Sequence, residues 1–484
     1  MARLSFKHTF TSLSLAALCA CQGQAPQPPA APATPSDLAL ARLPAGVGEQ
    51  PLPDRWWALY QDPALDHWVR QALASNQDLA QADARLAAVM AGIRQAEAAQ
   101  GPQTELGLAA QYGRTADDQT LAQAQATSTR APSQWQWNPA ASLSWQLDLF
   151  GQVRAAIEAA KAHAEAAAAA RDQLRLVVAA QTSLAWLDLC TYGEQIEQTQ
   201  ASLNSLDDSL RLTERQREAG VATELDSARL QALARRTRAQ LPWLQARQKL
   251  AIAQLALLAG QAEQPVQAQA CKHIPRVARA LPAGDAWQLF KRRPDVRQAE
   301  REALASAWTL QNVRADLYPK VVFGASLSAS SSAWQGLGDR QSVTFGVGPL
   351  ISWQFPDRRA NQARVQAADA QRMASAANWR RSVQGALTDV RQAFARYDGE
   401  RQRGLWLAQA LEQNERAFAL ADSSYHAGAL DGLQRLDAQR ELIAARLRQI
   451  TARQRQAHSE IALFQALGGG WQAPVDDLRT GNRP

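Results

Sequence analysis

Four short stretches of the chain alternate between apolar and polar or small residues. They run for seven to thirteen residues each, at 105–112, 143–149, 321–328 and 343–355. A period of two puts neighbouring side chains on opposite faces of a strand, so each stretch predicts a β-strand with one apolar face. Aromatic residues mark the strand ends: Tyr112, Trp137, Trp145, Tyr318 and Trp353. They favour strands of a membrane barrel over the alternative, a one-sided sheet on a soluble core.

Helical periodicity dominates the rest of the chain. Apolar residues at helical spacing predict helices at 63–100 and 285–316. Residues 151–218 contain no proline and, after Gly151, a single glycine, Gly193. They predict one helix of roughly 100 Å, which no single small core could surround. We therefore expect long helices packed side by side. A plain coiled-coil rod is the alternative, and the strands between the helices argue against it.

The whole pattern occurs twice. Trp145-Gln146 matches Trp353-Gln354, Ala219-Gly220 matches Ala427-Gly428, and Gly260 matches Gly468, all at an offset of 208 residues. Upstream the offset is 217, as between Pro102 and Pro319. The nine-residue difference falls in the polar segment 115–132, which predicts an exposed loop. Each half predicts a helix, a β-hairpin and two long helices joined at the Ala-Gly turn. The predicted divisions are a first repeat at 45–260, an inter-repeat linker at 261–284, a second repeat at 285–468 and a C-terminal tail at 469–484.

Residues 1–20 are typical of an export signal. Two basic residues precede a short apolar stretch, which ends at Leu18-Cys19-Ala20-Cys21. This ending resembles a bacterial lipobox, which implies lipidation of Cys21 and anchoring in outer-membrane lipid. Gln22 is not the aspartate that marks retention at the inner membrane. An ordinary signal peptide cleaved nearby is the alternative.

Residues 21–44 are rich in proline and alanine and predict a lipidated, extended tether. No later stretch has the 18 or more apolar residues of a transmembrane helix. Membrane entry is therefore expected only through β-strands or the lipid. Four strands cannot close a barrel, and open edges in lipid leave backbone groups unpaired. Several copies must then share one barrel, and three copies supply twelve strands.

Composition excludes several classes of function. The chain has 484 residues and a formal net charge of +7 without a block of basic residues, so no nucleic-acid partner is expected. Six scattered histidines and the absence of nucleotide-binding or hydrolase motifs predict no metal, no cofactor and no enzyme activity. Cys190 is expected to be a small buried residue on a long helix. Its pairing with Cys271 in the linker stays open.

Several motifs follow one another in order. They are Arg55-Trp56-Trp57-Ala58-Leu59-Tyr60, Asn76-Gln77-Asp78-Leu79, Trp145-Gln146-Leu147-Asp148-Leu149-Phe150, Arg292-Arg293-Pro294-Asp295-Val296 and Leu436-Asp437-Ala438-Gln439. Together with the Ala-Gly turns they resemble the TolC-like outer-membrane efflux family, lipoprotein branch of OprM and NodT type, over residues 45–468. The resemblance implies a mainly α fold with a membrane β-barrel portion. It implies a long α-helical barrel and four β-strands per protomer, which close as a twelve-stranded barrel in a homotrimer.

The resemblance also implies a function and partners. The trimer would be the exit duct of a tripartite efflux pump in the outer membrane, with a large periplasmic portion. A periplasmic adaptor and an inner-membrane transporter, most often of the RND class, would deliver small toxic compounds to it. One alternative is the outlet of an ABC-driven protein secretion system. Another is a lipid-anchored periplasmic scaffold without a channel.

The family narrows its periplasmic end at a gate, and its residues map onto the helix ends of this chain. The resemblance implies gate roles for Asp437, Asp431, Gln434 and Tyr425, with Asp226 and Arg229 in the analogous places of the first repeat. A ring of carboxylates around a threefold axis would attract cations and disfavour anions. The simpler interpretation of each residue is a solvated charge at a helix end.

The two Ala-Gly turns are expected to meet the adaptor. These tips comprise Gly220, Val221, Ala222 and Thr223 in the first repeat and Gly428, Ala429 and Leu430 in the second. Glycine permits the tight reversal between two helices.

Overall fold

The structure is a computed structural model, and it describes residues 45–48, 50–114, 116–125, 131–261, 271–277, 280–282, 293–353 and 358–469. The predicted signal peptide, the predicted lipidation site Cys21, the whole predicted tether and nearly all of the predicted tail lie outside these residues. The chain divides into two compact units, of which the first holds 87–166 and 299–379 and the second the remaining described residues. Each unit therefore takes segments from both sequence repeats.

The helices are α1 (Pro63–Ser75), α2 (Gln77–Ala98), α3 (Ala116–Ala124), α4 (Gln152–Glu218), α5 (Glu224–Arg238), α6 (Gln240–Leu258), α7 (Pro294–Ala315), α8 (Arg358–His426) and α9 (Gly432–Ala466). The strands are β1 (Val47–Gly48), β2 (Gln103–Gly113), β3 (Gln134–Leu147), β4 (Leu281–Pro282), β5 (Lys320–Ala329) and β6 (Val343–Ser352). Short 3₁₀ helices cover Trp56–Tyr60 and Trp334–Gly338. The described helices include none that is both long and apolar enough to cross a membrane.

The first unit contains an antiparallel four-stranded sheet in the order β2-β3-β5-β6. The register brings Leu143 opposite Ala325, and Ala325 opposite Val347. One face is apolar across all four strands, with Leu106, Leu108, Ala141, Leu143, Phe323, Leu327, Phe345 and Val347. The other face carries mainly serine, glutamine, threonine and glycine. The predicted alternation is confirmed, and most of the large side chains of the apolar face are exposed in the single chain.

Aromatic side chains lie at both ends of this sheet. Tyr112, Trp135, Trp137 and Trp334 form a chain of ring contacts at the hairpin end, with centroids 5.3–6.0 Å apart. At the opposite end the indole of Trp145 donates to the Gln100 carbonyl (2.8 Å), and that of Trp353 donates to the Leu317 carbonyl (3.3 Å). Trp145 and Trp353 differ by 208 positions, whereas Gln100 and Leu317 differ by 217. The same contact thus occurs in both repeats. Its two tryptophans are related by the downstream offset of 208 residues and its two carbonyl groups by the upstream offset of 217.

Two details of this unit differ from the sequence prediction. Strand β3 begins at Gln134, nine residues before the predicted start. Pro139 lacks an N–H, and the β3–β5 ladder is interrupted beside it, between Ala140 and the isolated bridge of Trp137 with Ser331. The segment 115–132, predicted as a loop, contains helix α3.

The core of the second unit includes the opening Trp-Trp motif. Trp56 is fully buried and stacks on Phe464 of α9, with ring centroids 5.0 Å apart. Trp186 of α4 donates its indole N–H to Asp62 (2.8 Å). The other carboxylate oxygen of Asp62 accepts backbone N–H groups at the start of α1. One side chain thus caps a helix and ties it to α4.

Cys190 of α4 forms a disulfide with Cys271, which lies 81 positions later. Cys190 is buried as expected, and the pairing that the sequence left open is made. The linker passes so close to α4 that a Cβ on Gly193 would lie 2.1 Å from the Cys271 carbonyl oxygen. This approach explains the single glycine in a helix of 67 residues.

Two helices predicted as continuous are broken. The predicted helix 63–100 divides at Asn76, whose side-chain oxygen accepts the N–H groups of Asp78 and Leu79 and starts α2. The second long helix of the first repeat breaks at Ala239, shortly before Pro242. Proline has no N–H for the turn before it and crowds the carbonyl there. The equivalent position in the second repeat is Ile450, and α9 is unbroken.

A buried carboxyl group lies between α9 and the segment before α1. Glu460 accepts hydrogen bonds from the Tyr60 hydroxyl (3.0 Å) and the Gln456 amide (3.1 Å). Burial raises the pKa of Glu460 to about 7, although both hydrogen bonds act in the opposite direction. Tyr397 belongs to the same cluster, and burial followed by the Glu460 charge raises its pKa as well.

This cluster predicts that the fold loses stability as the pH rises. The folded state keeps Glu460 protonated at a pH where the unfolded chain has released the proton, so unfolding is favoured progressively between pH 4.5 and about 7. Over this pH range the free energy of unfolding falls by about 3 kcal/mol. We expect Glu460→Gln to remove most of this dependence, measured as the thermal unfolding midpoint in detergent from pH 5 to 8. An identical pH slope in the variant and the wild type would contradict the assignment.

Candidate functional site

Two helix-hairpin tips in the second unit end in the same local structure. Gly220 and Gly428 have positive φ angles of 76° and 74°. The bonds that close the preceding helices are Gly220 N to Arg217 O (2.9 Å), Val221 N to Gln216 O (2.8 Å), Gly428 N to Tyr425 O (3.0 Å) and Ala429 N to Ser424 O (2.9 Å). This is the Schellman pattern, which requires a left-handed residue and so favours glycine.

The residues after each turn cap the next helix. Thr223 accepts the N–H of Asp226 (3.3 Å), and the Asp226 carboxylate accepts the N–H and hydroxyl of Thr223. These bonds, with the charge of Arg229, hold the pKa of Asp226 below its usual value. In the second repeat Asp431 accepts the N–H of Gln434 (2.8 Å). The local chemistry of Asp226, Asp431 and Gln434 is thus that of helix caps.

Asp437 lies on the exposed surface of α9. Its nearest basic partner is Arg440, one turn later, with N and O atoms 3.7 Å apart. Arg229, its counterpart 208 positions earlier, is exposed on α5. Within one chain the structure does not bring Asp437 together with Asp431 through a hydrogen bond or ion pair among the described residues. Their role in a gate stays a prediction.

A network absent from the sequence prediction joins the two hairpins. The Tyr425 hydroxyl donates to the side-chain oxygen of Gln216. Arg435 of α9 binds Asp422 of α8 (2.7 Å) and also donates to Ser209 of α4 (3.3 Å). Its guanidinium lies 5.4 Å from the centroid of the Tyr425 ring. We call this set of Gln216, Ser209, Asp422, Tyr425 and Arg435 the hairpin latch.

A small apolar cluster supports the latch. Leu206, Leu230 and Ala234 are buried, and Leu436 and Ile443 of α9 pack against them. Gln439, also buried, donates to the Ser205 hydroxyl (3.2 Å). Leu436 and Gln439 belong to the predicted gate motif, so part of that motif holds α9 against α4 and α5.

Sequence reasoning found Tyr425 but missed its partners. Gln216 and Tyr425 are 209 positions apart, and Ser209 and Arg435 are 226 apart. A single sequence gives no sign of which polar residue on one helix faces which residue on another. In the described part of the chain, no group of three or more histidine, cysteine or carboxylate side chains is placed to hold a metal ion.

Comparison with known proteins assigns the family. The profile described as "Outer membrane efflux protein" matches residues 68–261 and 287–469. The pyoverdine export outer membrane protein OpmQ of Pseudomonas putida is 31% identical over 91% of this chain and 94% of its own length. The toluene efflux pump outer membrane protein TtgF of Pseudomonas putida is 28% identical over 93% of both chains.

A solved structure agrees with this assignment. The outer-membrane channel OprN is 30% identical and superposes with a TM-score of 0.83 over 92% of this chain and 98% of its own. The predicted fold, mainly helical with a β-barrel portion, is therefore confirmed. The chain belongs to the outer membrane efflux protein family, and it is an efflux channel component of the outer membrane.

Proposed function

We propose that this protein forms, as a homotrimer, the passive exit duct of a tripartite efflux pump. The four-stranded sheet carries the proposal, because its apolar face is exposed and the outer edges of its end strands β2 and β6 pair with no other described strand. A lipid-facing sheet needs every backbone group paired. Three copies joined through these edges supply a closed barrel of about twelve strands, within the size range of membrane barrels.

The exposed side chains at the two tips indicate which partner the duct would contact. Val221 and Leu225 are large apolar side chains left exposed beside Gly220, and Leu433 is exposed just after the second tip. Such a surface suits the hairpin tip of a periplasmic adaptor, which would connect the duct to an inner-membrane transporter of the RND class. The matched relatives are named for pyoverdine and toluene, two unlike compounds, which supports small-molecule cargo selected by the transporter. The duct itself would need no catalysis and no cofactor.

The membrane attachment completes the proposal. Lipidation of Cys21 would hold the mature N-terminus in the outer membrane, with the helices of the second unit in the periplasm. The hairpin latch would hold the end of α4 against the ends of α8 and α9 next to the two tips. The predicted gate residues Asp437, Asp431, Gln434, Asp226 and Arg229 would then line or border the narrowed end.

A variant of the latch tests the proposed function. Arg435→Gln removes the charged hydrogen bond to Asp422 and leaves the apolar cluster of Leu206, Leu230 and Ala234 in place. Such a bond contributes about 2 kcal/mol, so its loss raises the open population of a protomer more than tenfold. In a strain lacking the native protein, we expect the variant to restore resistance to dyes and detergents but to admit vancomycin, which the outer membrane otherwise excludes.

Arg448→Gln is the matched control, because it removes a surface arginine of the same helix whose ion pair, in the part of the chain that the structure describes, is with exposed Glu441 (3.7 Å). It should restore resistance without admitting vancomycin. Unchanged susceptibility of the deletion strain, together with a protein missing from its culture medium, would favour the protein-secretion outlet instead. No leak through the Arg435 variant would show that the latch does not close the duct.

A further inference from the structure

A valley runs along one face of α4, between α6 and α9. Its wider part, of about 400 Å³, is lined by Asp188 and Tyr192 of α4 and by Arg247 of α6. Its narrower part, of about 240 Å³, is lined by Tyr192, by Trp243 of α6 and by Thr451 of α9. Tyr192 lines both parts, so they adjoin, and we call them together the α4 valley. The wider part alone is within the size range of sites that bind small molecules.

The guanidinium of Arg247 is held in place at this valley without using its N–H groups. Its Cζ atom lies 5.4 Å from the centroid of the Trp243 ring, so the indole face supports the cation. No hydrogen bond or ion pair joins Arg247 to another residue in the described part of the chain. Arg435 lies over the ring of Tyr425 in the same way, but it donates to Asp422. Arg247 therefore offers a positioned pair of donors to a molecule in the valley.

The negative charge of the valley is already engaged. Among the described residues that line it, Asp188 is the only carboxylate and Arg247 the only permanent cation. One oxygen of Asp188 accepts the amide of Gln454 (2.7 Å) and lies 2.7 Å from Nε2 of His458, both on α9. Asp188 thus has two partners within the protein, whereas Arg247 has a ring beneath it and no anion.

The remaining lining is aromatic, apolar or amide. Burial, followed by the charge of Asp188, raises the pKa of the Tyr192 hydroxyl, so this ring stays neutral and can donate a hydrogen bond. Amide side chains that line the valley add hydrogen-bonding groups without charge: Gln181, Gln195, Gln240 and Gln254. One cation beside a phenol ring and several amides suits a flat molecule with a single negative charge.

We propose that the α4 valley binds planar aromatic carboxylates. The carboxylate would accept two parallel N–H groups of Arg247, which is the arrangement that a guanidinium favours. The aromatic ring would lie against Tyr192, and Leu250 of α6 would cover its edge. A cation is disfavoured in the same place, because Arg247 repels it and Asp188 is engaged with α9.

The direction in which the valley opens makes this ligand a cargo of the duct. Cys190 and Gly193 face the linker, because Cys190 is bonded to Cys271 and a Cβ on Gly193 would meet the Cys271 carbonyl oxygen. Around the axis of α4, Asp188 is about 160° from Cys190 and about 140° from Gly193. The valley thus opens away from the linker. A linker inside the proposed duct would obstruct it, so the valley belongs to the inner wall, and this step rests on the proposed function.

Equilibrium dialysis of the full-length protein in lipid nanodiscs tests the site, with 2-naphthoate as the probe. Neutral 2-naphthamide has the same ring without the charge, and 2-naphthylmethylammonium has the opposite charge. Arg247→Gln removes the cation of the valley. Lys249→Gln is the matched control, because Lys249 is an exposed cation of the same helix that does not line the valley. Tyr192→Leu removes the ring, and native gels verify the assembly of each variant.

We expect the wild type to bind 2-naphthoate about tenfold more tightly than 2-naphthamide, a comparison that needs no variant. Arg247→Gln should remove this preference, Lys249→Gln should keep it, and Tyr192→Leu should weaken the binding of both probes. Equal affinity of the wild type for the two probes, or tighter binding of the ammonium probe, would overturn the proposal. So would an unchanged affinity of Arg247→Gln for 2-naphthoate.

Resistance of the complemented deletion strain separates this site from the proposed duct. A wild type that restores resistance but does not bind 2-naphthoate would overturn the site and leave the duct standing. A wild type that binds 2-naphthoate through Arg247 but restores no resistance would support the site and contradict the duct.

Discussion

Replacing Cys190 and Cys271 together by alanine should lower the free energy of unfolding by about 4 kcal/mol. The disulfide closes a loop with a sequence separation of 81 residues, so its removal frees much of the unfolded chain. It also releases the linker from α4, where the buried Ile274 N–H lies 3.4 Å from the Glu194 carboxylate. The measurement is the unfolding midpoint in detergent, with and without a reductant.

The single variants provide the control. Cys190→Ala and Cys271→Ala should each lose as much stability as the double variant, because either one breaks the same bond. The reductant should lower the wild-type midpoint and leave all three variants unchanged. An unaltered midpoint for reduced wild type would show that the bond does not support the fold.

Substituting Arg293 by methionine should lower the free energy of unfolding by about 3 kcal/mol, which is at the low end of the range for a broken buried ion pair. Its guanidinium is buried and binds Asp295 (2.7 Å), Asp389 of α8 (3.0 Å) and the Ala466 carbonyl at the end of α9 (2.9 Å). The side chain also packs on Gly468, where a Cβ would lie 2.9 Å from its Cγ. Arg293 thus joins the start of α7, the middle of α8 and the end of α9.

A second variant at position 293 separates the effect of the charge from that of the planar guanidinium, and a variant at an exposed position is the control. Arg293→Lys keeps the charge but cannot reach three acceptors as a planar fork, so it should recover only part of the stability. Arg416→Met, an exposed arginine of α8, should be nearly neutral. Equal midpoints for Arg293→Met and Arg416→Met would contradict a structural role for the Arg-Pro-Asp motif.

Local features of the fold could be predicted because they depend on neighbouring residues. The alternation in β5 and β6, the Ala-Gly turns and the long helix α4 all reflect contacts within about five positions along the chain. The same reasoning could have placed the breaks at Asn76 and Pro242, since both residues act on the turn beside them. Those breaks were missed because a helical apolar pattern continues through them.

The candidate site was predictable only in part. The tips Gly220 and Gly428 were found because left-handed turns need glycine. The latch residue Arg435 was not found, because nothing near it in sequence indicates that this face of α9 lies beside α4. The pairing of Cys190 with Cys271 was undecided for the same reason: spacing along the chain does not show which helix the linker crosses.

Patterns along the chain were sufficient to predict the twofold internal repeat, the strands with one apolar face, the positions of the turns and the resemblance to the efflux family. The contacts between side chains of different helices and segments are known only from the folded chain: the disulfide, the Glu460 cluster, the contacts of Arg293 with three helices and the hairpin latch. The two groups of features differ in how far apart along the chain the interacting residues lie. Hydrogen bonding within a turn or strand is fixed by residues a few positions apart, whereas the contacts that these features make between different helices and segments join residues 13 to 400 positions apart, and their proximity follows from packing the whole chain.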